Sequence, residues 1–168
     1  MARSPGATQR YFYGVADARF ALRKVVRIVD DIAKRRGLDP LEHQALIQIY
    51  GARNGAIRVG ELAERLDIPP EFASKLAKTL IEREFAYATP DPRDQRVTLL
   101  RASSTGRTLL IAIDRAVRGA VDAFAETLSP QAKTAALDIF GFYVGATNGR
   151  HPGIVEAPAS SARKRSTP

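Results

Sequence analysis

Apolar side chains recur along much of this chain at steps of three and four, the spacing that gathers them on one side of a helix. Val15, Ala18, Leu22, Val25, Val29 and Ile32 follow that rhythm and predict a long first helix over residues 11–36. Gly37 suits its C-terminal cap, and Lys34, Arg35 and Arg36 suit the negative end of its dipole. A second helix opens at Asp39-Pro40-Leu41-Glu42, with Asp39 as N-cap, Pro40 at the first helical position and Glu42 three residues in. Its apolar face comprises Leu41, Ala45, Leu46 and Ile49. Leu110, Ile113, Val117, Ala120, Phe124 and Leu128 predict another long helix after Ser103-Ser104-Thr105-Gly106. Ser129-Pro130 begins a last one, with a stripe of Leu137, Phe140, Gly141 and Val144.

Residues 57–101 carry a different grammar. Val59, Leu62, Ala63 and Leu66 share one face of a short helix, followed by the turn Asp67-Ile68-Pro69-Pro70. The next helix spans about 71–83, with Phe72, Leu76 and Leu80 read as inward-facing. Strands at 86–89 and 97–101 then flank the charged tip Pro90-Asp91-Pro92-Arg93-Asp94-Gln95-Arg96. Helix, turn, helix and two-stranded ribbon in that order predict a mostly α (α+β) winged helix-turn-helix, whose usual partner is double-stranded DNA.

At 168 residues the chain suits one domain with tails. A formal net charge of +8 and pI near 10.2 suggest an anionic partner. The charge is unevenly placed, however. Residues 1–36 hold nine basic and three acidic side chains, and 147–168 hold four and one; the winged segment 53–101 holds nine and eight. Bulk charge therefore does not single out the winged segment, and the placement of individual residues must. The absence of cysteine excludes disulfides, thiolate metal sites and thiol redox sensing. With two distant histidines, no phosphate-cradling glycine pattern, and an arginine between Asp91 and Asp94, nothing predicts an enzyme, a metal site or a cofactor. No apolar run reaches the roughly 18 residues of a membrane span, and the N-terminus lacks a signal core, so a soluble cytoplasmic protein without a membrane partner is expected. Residues 1–10 read as a disordered arm and 147–168 as a disordered basic tail. His151 there is read as inert, and Arg163-Lys164-Arg165 as a source of non-specific DNA affinity or of solubility.

The stretch Asp91-Pro92-Arg93-Asp94-Gln95-Arg96, then Val-Thr-Leu-Leu-Arg, then Ser103-Ser104-Thr105-Gly106-Arg107-Thr108-Leu109-Leu110, resembles the multiple-antibiotic-resistance regulator (MarR) family. Val59-Gly60-Glu61-Leu62-Ala63-Glu64-Arg65-Leu66 is also similar, less specifically. The resemblance implies a homodimer held by terminal helices, residues 11–36 with 103–146, around a DNA-binding domain at 37–102. It also implies a repressor released by a small, often aromatic, effector. Three residues depart from the family pattern. Asp67 and Glu84 stand where glycine is frequent, and Glu71 replaces a small hydroxyl residue.

On the recognition helix Glu71, Ser74, Lys75 and Lys78 are candidates for DNA contact: Ser74 and Lys75 toward base edges, Lys78 toward phosphate, Glu71 toward cytosine N4 or merely the helix dipole. At the wing, Arg93 and Arg96 suit a narrow minor groove. Asp94 has the reach to fix a guanidinium, and the resemblance implies that it orients Arg96. By the same resemblance Phe20, Arg23 and His43 are candidate effector contacts, Arg23 for a carboxylate. The expected function is a dimeric, ligand-responsive repressor on a pseudo-palindromic operator. The alternatives are a non-specific architectural DNA binder and a winged-helix protein-interaction module.

Overall fold

The computed structural model describes residues 6–146, so the expectations for the extreme N-terminus and the basic tail lie outside the described residues. Six helices and a small sheet follow in the order α1 (Ala7–Arg35), α2 (Pro40–Tyr50), a 3-10 turn (Arg53–Gly55), β1 (Ile57–Arg58), α3 (Val59–Leu66), α4 (Pro70–Glu82), β2 (Ala86–Asp91), β3 (Asp94–Ala102), α5 (Ser104–Glu126) and α6 (Pro130–Tyr143). This is the winged helix-turn-helix expected, with three differences in extent. Residues 7–10 are helical rather than part of an arm. The ribbon gains a third strand, giving the antiparallel order β1-β3-β2. Both long strands run further toward the tip than the turn-forming residues suggested, and only Pro92 and Arg93 lie between them. Strand β2 is the outer one, and Pro90 within it has no N–H to offer.

The chain forms two compact units, one of residues 25–124 and one combining residues 6–24 with 125–146. In the first, Ala45, Ile49, Ile57, Leu62, Ala77, Leu80, Ala86 and Leu100 make one apolar cluster. Ile32, Ala33, Leu38, Leu46, Leu110 and Ile113 make another. Phe85 and Ala102 pack against both. Burying a Leu or Ile side chain stabilises by about 1.5–3 kcal/mol, so the two clusters dominate the stability of this unit.

In the second unit Ala18 and Ile139 are buried, and Arg19 reaches the Tyr143 hydroxyl at 3.5 Å. Much of the rest of its apolar surface is open, including Phe12, Tyr13 and Leu22 on α1 and Leu137, Phe140 and Tyr143 on α6. The stripe expected on the last helix therefore faces outward at Leu137 and Phe140, while Ile139 takes the inner position.

Four helices end in the same way. The amide two residues past the cap returns to a carbonyl five positions back, and the residue before it is left-handed. At α1 these bonds are Leu38 N to Ala33 O and Gly37 N to Lys34 O, with Gly37 at φ 81°. At α3 they are Ile68 N to Ala63 O and Asp67 N to Glu64 O, with Asp67 at φ 53°. At α4 they are Phe85 N to Leu80 O and Glu84 N to Ile81 O, with Glu84 at φ 60°. The fourth closes α6 at Gly145. Asp67 and Glu84 thus adopt the conformation for which glycine is usual, and Glu carries the greater steric cost.

The Glu84 turn is held from outside. Ser103 Oγ donates to Glu84 O at 2.6 Å and Ser103 N donates to Phe85 O at 3.0 Å, while Ser103 Oγ accepts from Gly106 N at 2.9 Å as the cap of α5. Gly106 lies so close that a Cβ there would sit 2.1 Å from the Phe85 carbonyl oxygen.

Two substitutions test this joint. Gly106→Ala must displace backbone and is expected to destabilise by about 1–3 kcal/mol or more. Glu84→Gly relieves the left-handed strain and is expected to stabilise by about 1 kcal/mol, after allowing for the greater freedom of glycine in the unfolded chain. Urea unfolding of each variant beside the parent protein measures both.

Candidate nucleic-acid interface

Helix α4 meets the core through Ala73, Ala77 and Leu80, at i, i+4 and i+7, with Leu76 half-buried. This corrects the inward assignment of Phe72, which is 56% exposed. A three–four apolar rhythm fits either phase. The one adopted brings α4 against its neighbours through alanines, where a benzyl group would not fit. Phe72 instead joins the outer face, and Lys75 Nζ lies 5.6 Å from its ring centroid.

Glu71, Ser74, Lys75 and Lys78 all lie exposed on that outer face, as expected. Ser74 Oγ donates to Pro70 O at 2.9 Å, so its hydroxyl proton is already engaged and its lone pairs remain to accept. Lys78 Nζ is 3.7 Å from Glu82 Oε1, an exposed pair of little strength that leaves the ammonium able to turn to another anion.

At the wing, Arg93, Asp94 and Arg96 are exposed together. Among the described residues Asp94 grips no guanidinium: its Oδ1 accepts from the main-chain N–H of Arg96 at 3.0 Å. Asp91 Oδ1 accepts in the same way from the Arg93 amide at 2.9 Å. Both aspartates shape the turn through the amide two residues on, the habit of this side chain in turns. The guanidinium partner in this region is Arg58, whose Nη2 lies 2.8 Å from Asp91 Oδ2. Asp91 is buried, and the Arg93 amide, followed by Arg58, holds its carboxyl below the usual carboxylate range. The register between β2 and β3 is irregular at Pro90/Asp91, where this side chain turns inward.

The candidate effector residues separate. His43 is buried and lines an apolar cavity of ≈ 430 Å³ within the unit 25–124, with Val29, Ile47, Tyr50, Leu110 and Ile113 among its walls. Phe20 and Arg23 belong to the other unit, where both are exposed. The His43 Nδ1 is enclosed and has no hydrogen-bond partner among the described residues. Burial pushes the imidazole pKa down, opposed by the Asp30 charge. Among the described residues no three His, Cys, Asp or Glu side chains gather as a metal site, and no helix is long and apolar enough to cross a membrane.

Two contacts had no local signal in the sequence. Arg83, at the end of α4, donates Nη1 to the buried carboxylate of Glu42 and Nη2 to Gly37 O, 2.6 Å away. Arg58 and Asp91 are 33 positions apart. Each pair joins elements that only the folded chain brings together.

Because the folded pKa of His43 lies below its unfolded value, the unfolded chain takes up the proton first. Stability from this group is intact above the ordinary histidine pKa of about 6.5 and declines as pH falls below it. Urea unfolding between pH 7.5 and 5.5 is expected to give a shallower pH slope for His43→Gln than for the parent.

Residues 36–97 match the model of the MarR family. No curated protein matches the sequence. Among solved structures, YusO of Bacillus subtilis is similar with 18% identity and a TM-score of 0.62, covering 84% of this chain and 99% of that one. RV1404 of Mycobacterium tuberculosis gives 19% identity and a TM-score of 0.65, covering 82% and 95%. A cysteine-to-serine mutant of MarR from E. coli, solved in complex with operator DNA, gives 16% identity and a TM-score of 0.61, covering 75% and 89%. The winged segment thus matches the MarR family model, and the chain as a whole shares the winged-helix fold of these structures.

Proposed function

We propose that the protein is a homodimeric transcriptional repressor that binds a pseudo-palindromic operator and is released by a small apolar, aromatic ligand. The observation that carries the DNA-binding part is the joint exposure of the α4 outer face and the wing arginines on a winged helix-turn-helix. Structures related in fold include the E. coli MarR mutant with operator DNA and a mutant of S. aureus MepR bound to an oligodeoxyribonucleotide.

In this reading α4 enters the major groove. Lys75 and Ser74 meet base edges, Lys78 meets phosphate, and Glu71 accepts from cytosine N4. Arg96 and Arg93 enter the adjacent minor groove on a turn stiffened by Asp94 and Asp91. The open apolar faces of α1 and α6 supply the dimer contact, since patches of that kind mark association surfaces. Two recognition helices related by a two-fold axis then address half-sites about one helical turn, ~34 Å, apart. The cavity beside His43 is the effector site, and the cytoplasm is the compartment in which such a protein meets its operator.

Selection of operators from random duplex, followed by gel shifts with unrelated competitor DNA, tests this function. A repressor resists the competitor, an architectural binder yields to it, and an interaction module binds no duplex even at low salt. Arg96→Ala is expected to weaken binding chiefly on operators with A·T-rich flanks. An unchanged affinity there refutes the wing assignment.

A further inference from the structure

The near-balance of charge in residues 53–101 conceals a strong local separation. Five of its arginines, Arg53, Arg58, Arg65, Arg93 and Arg101, line one hollow of ≈ 480 Å³ between the 3-10 turn, α3 and the ribbon. Only two acidic residues, Glu61 and Asp91, share it. Three of the guanidiniums are held in place. Arg58 pairs with Asp91 at 2.8 Å, Arg65 with Glu61 at 3.0 Å, and Arg101 Nη1 donates to the carbonyls of Asn54 and Gly55 at 3.3 Å each. Arg53 and Arg93 have no side-chain partner among the described residues, and both are exposed. The hollow is therefore a cationic surface with a fixed floor and two unspent charges at its edge.

Its place on the ribbon identifies the occupant. Side chains alternate between the two faces of a strand. Leu99 and Arg101 of β3 line this hollow, whereas Thr98 and Leu100 line a second one shared with Ser74 and Lys78 of α4. The recognition helix and the arginine hollow thus flank opposite faces of the wing. A minor groove is bounded by two phosphate strands, so a wing inserted into one has a strand on each face. One strand passes between wing and recognition helix, and the other passes the arginines.

The geometry points to this hollow as a cradle for the sugar-phosphate backbone of the strand beyond the wing, on the side away from α4. The inference rests on the DNA-binding reading and adds to it Arg53, Arg58, Arg65 and Arg101, which address phosphate and carry affinity without sequence preference. Paired guanidiniums keep donors to spare, because each offers five N–H groups.

The test uses the full chain and its selected operator. Binding is measured against salt for the parent, Arg53→Gln, and the Arg53→Gln/Arg65→Gln double variant. Arg53 makes no contact that folding needs, and circular dichroism checks both variants. Each phosphate contact removed is expected to lower the slope of log K against log salt by about 0.9, with the selected consensus unchanged. Neutral methylphosphonates placed singly along the operator should weaken the parent at one position of the outer strand, and weaken Arg53→Gln less there. Operator binding with a parental salt slope in both variants, and no such masked position, overturns the cradle while leaving the DNA-binding reading intact. A parent protein that binds no duplex overturns both. Protection of the parent against thermal unfolding by inorganic phosphate, lost in Arg53→Gln while operator binding stays parental, makes the hollow a free-anion site and also overturns the cradle.

Discussion

Three consecutive residues, Arg83, Glu84 and Phe85, hold the larger unit together. The Phe85 side chain belongs to both apolar clusters, so neither can shift without repacking the other. Its carbonyl receives the Ser103 amide and abuts Gly106, which fixes where α5 begins. Arg83 lies over the Phe85 ring at 4.9 Å and reaches back to Glu42 and Gly37, tying the end of α4 to the start of α2. Glu84 between them is forced left-handed because its carbonyl must meet Ser103 while Phe85 turns inward. The strain is local and of order 1–3 kcal/mol. The network that imposes it is far larger.

This joint aims the two surfaces proposed to meet DNA. Helix α4 ends in it and β2 starts from it, so the angle between recognition helix and wing follows from the Glu84 turn. The wing is stiffened independently by two aspartates that hold main-chain amides, and by Arg58 pinning the inward-turned Asp91. An exposed ion pair alone contributes little. Here Asp91 is buried and also accepts from an amide, which gives the pairing geometric consequence.

Much of this was legible in the sequence because the signals were local. Pro40 and Pro130 mark helix starts and Gly37 marks a helix end, while the left-handed positions at Asp67 and Glu84 came from the family resemblance, which has glycine there. What escaped was set by contacts distant in sequence or by phase. The phase of α4 could not be read because Phe72, Leu76 and Leu80, at i, i+4 and i+8, fit one helical face as well as Ala73, Ala77 and Leu80 at i, i+4 and i+7. Strand β1 is only two residues long and exists because β3 offers it a partner. Asp91 and Asp94 are alike in sequence. Only the irregular register at Pro90/Asp91 decides that the first turns inward to Arg58 and the second stays out. The arginine hollow gathers residues from four separate segments, so a count of charge along the chain averaged it away.

The sheet has two free edges, and neither invites another strand. The β1 side is too brief to template a neighbour, and the β2 side is interrupted by Pro90 near its end. Copies of this protein are thereby discouraged from stacking ribbon to ribbon into fibrous aggregates. The homodimer proposed above draws instead on the helical surfaces of α1 and α6, where a two-fold pairing closes on itself instead of propagating.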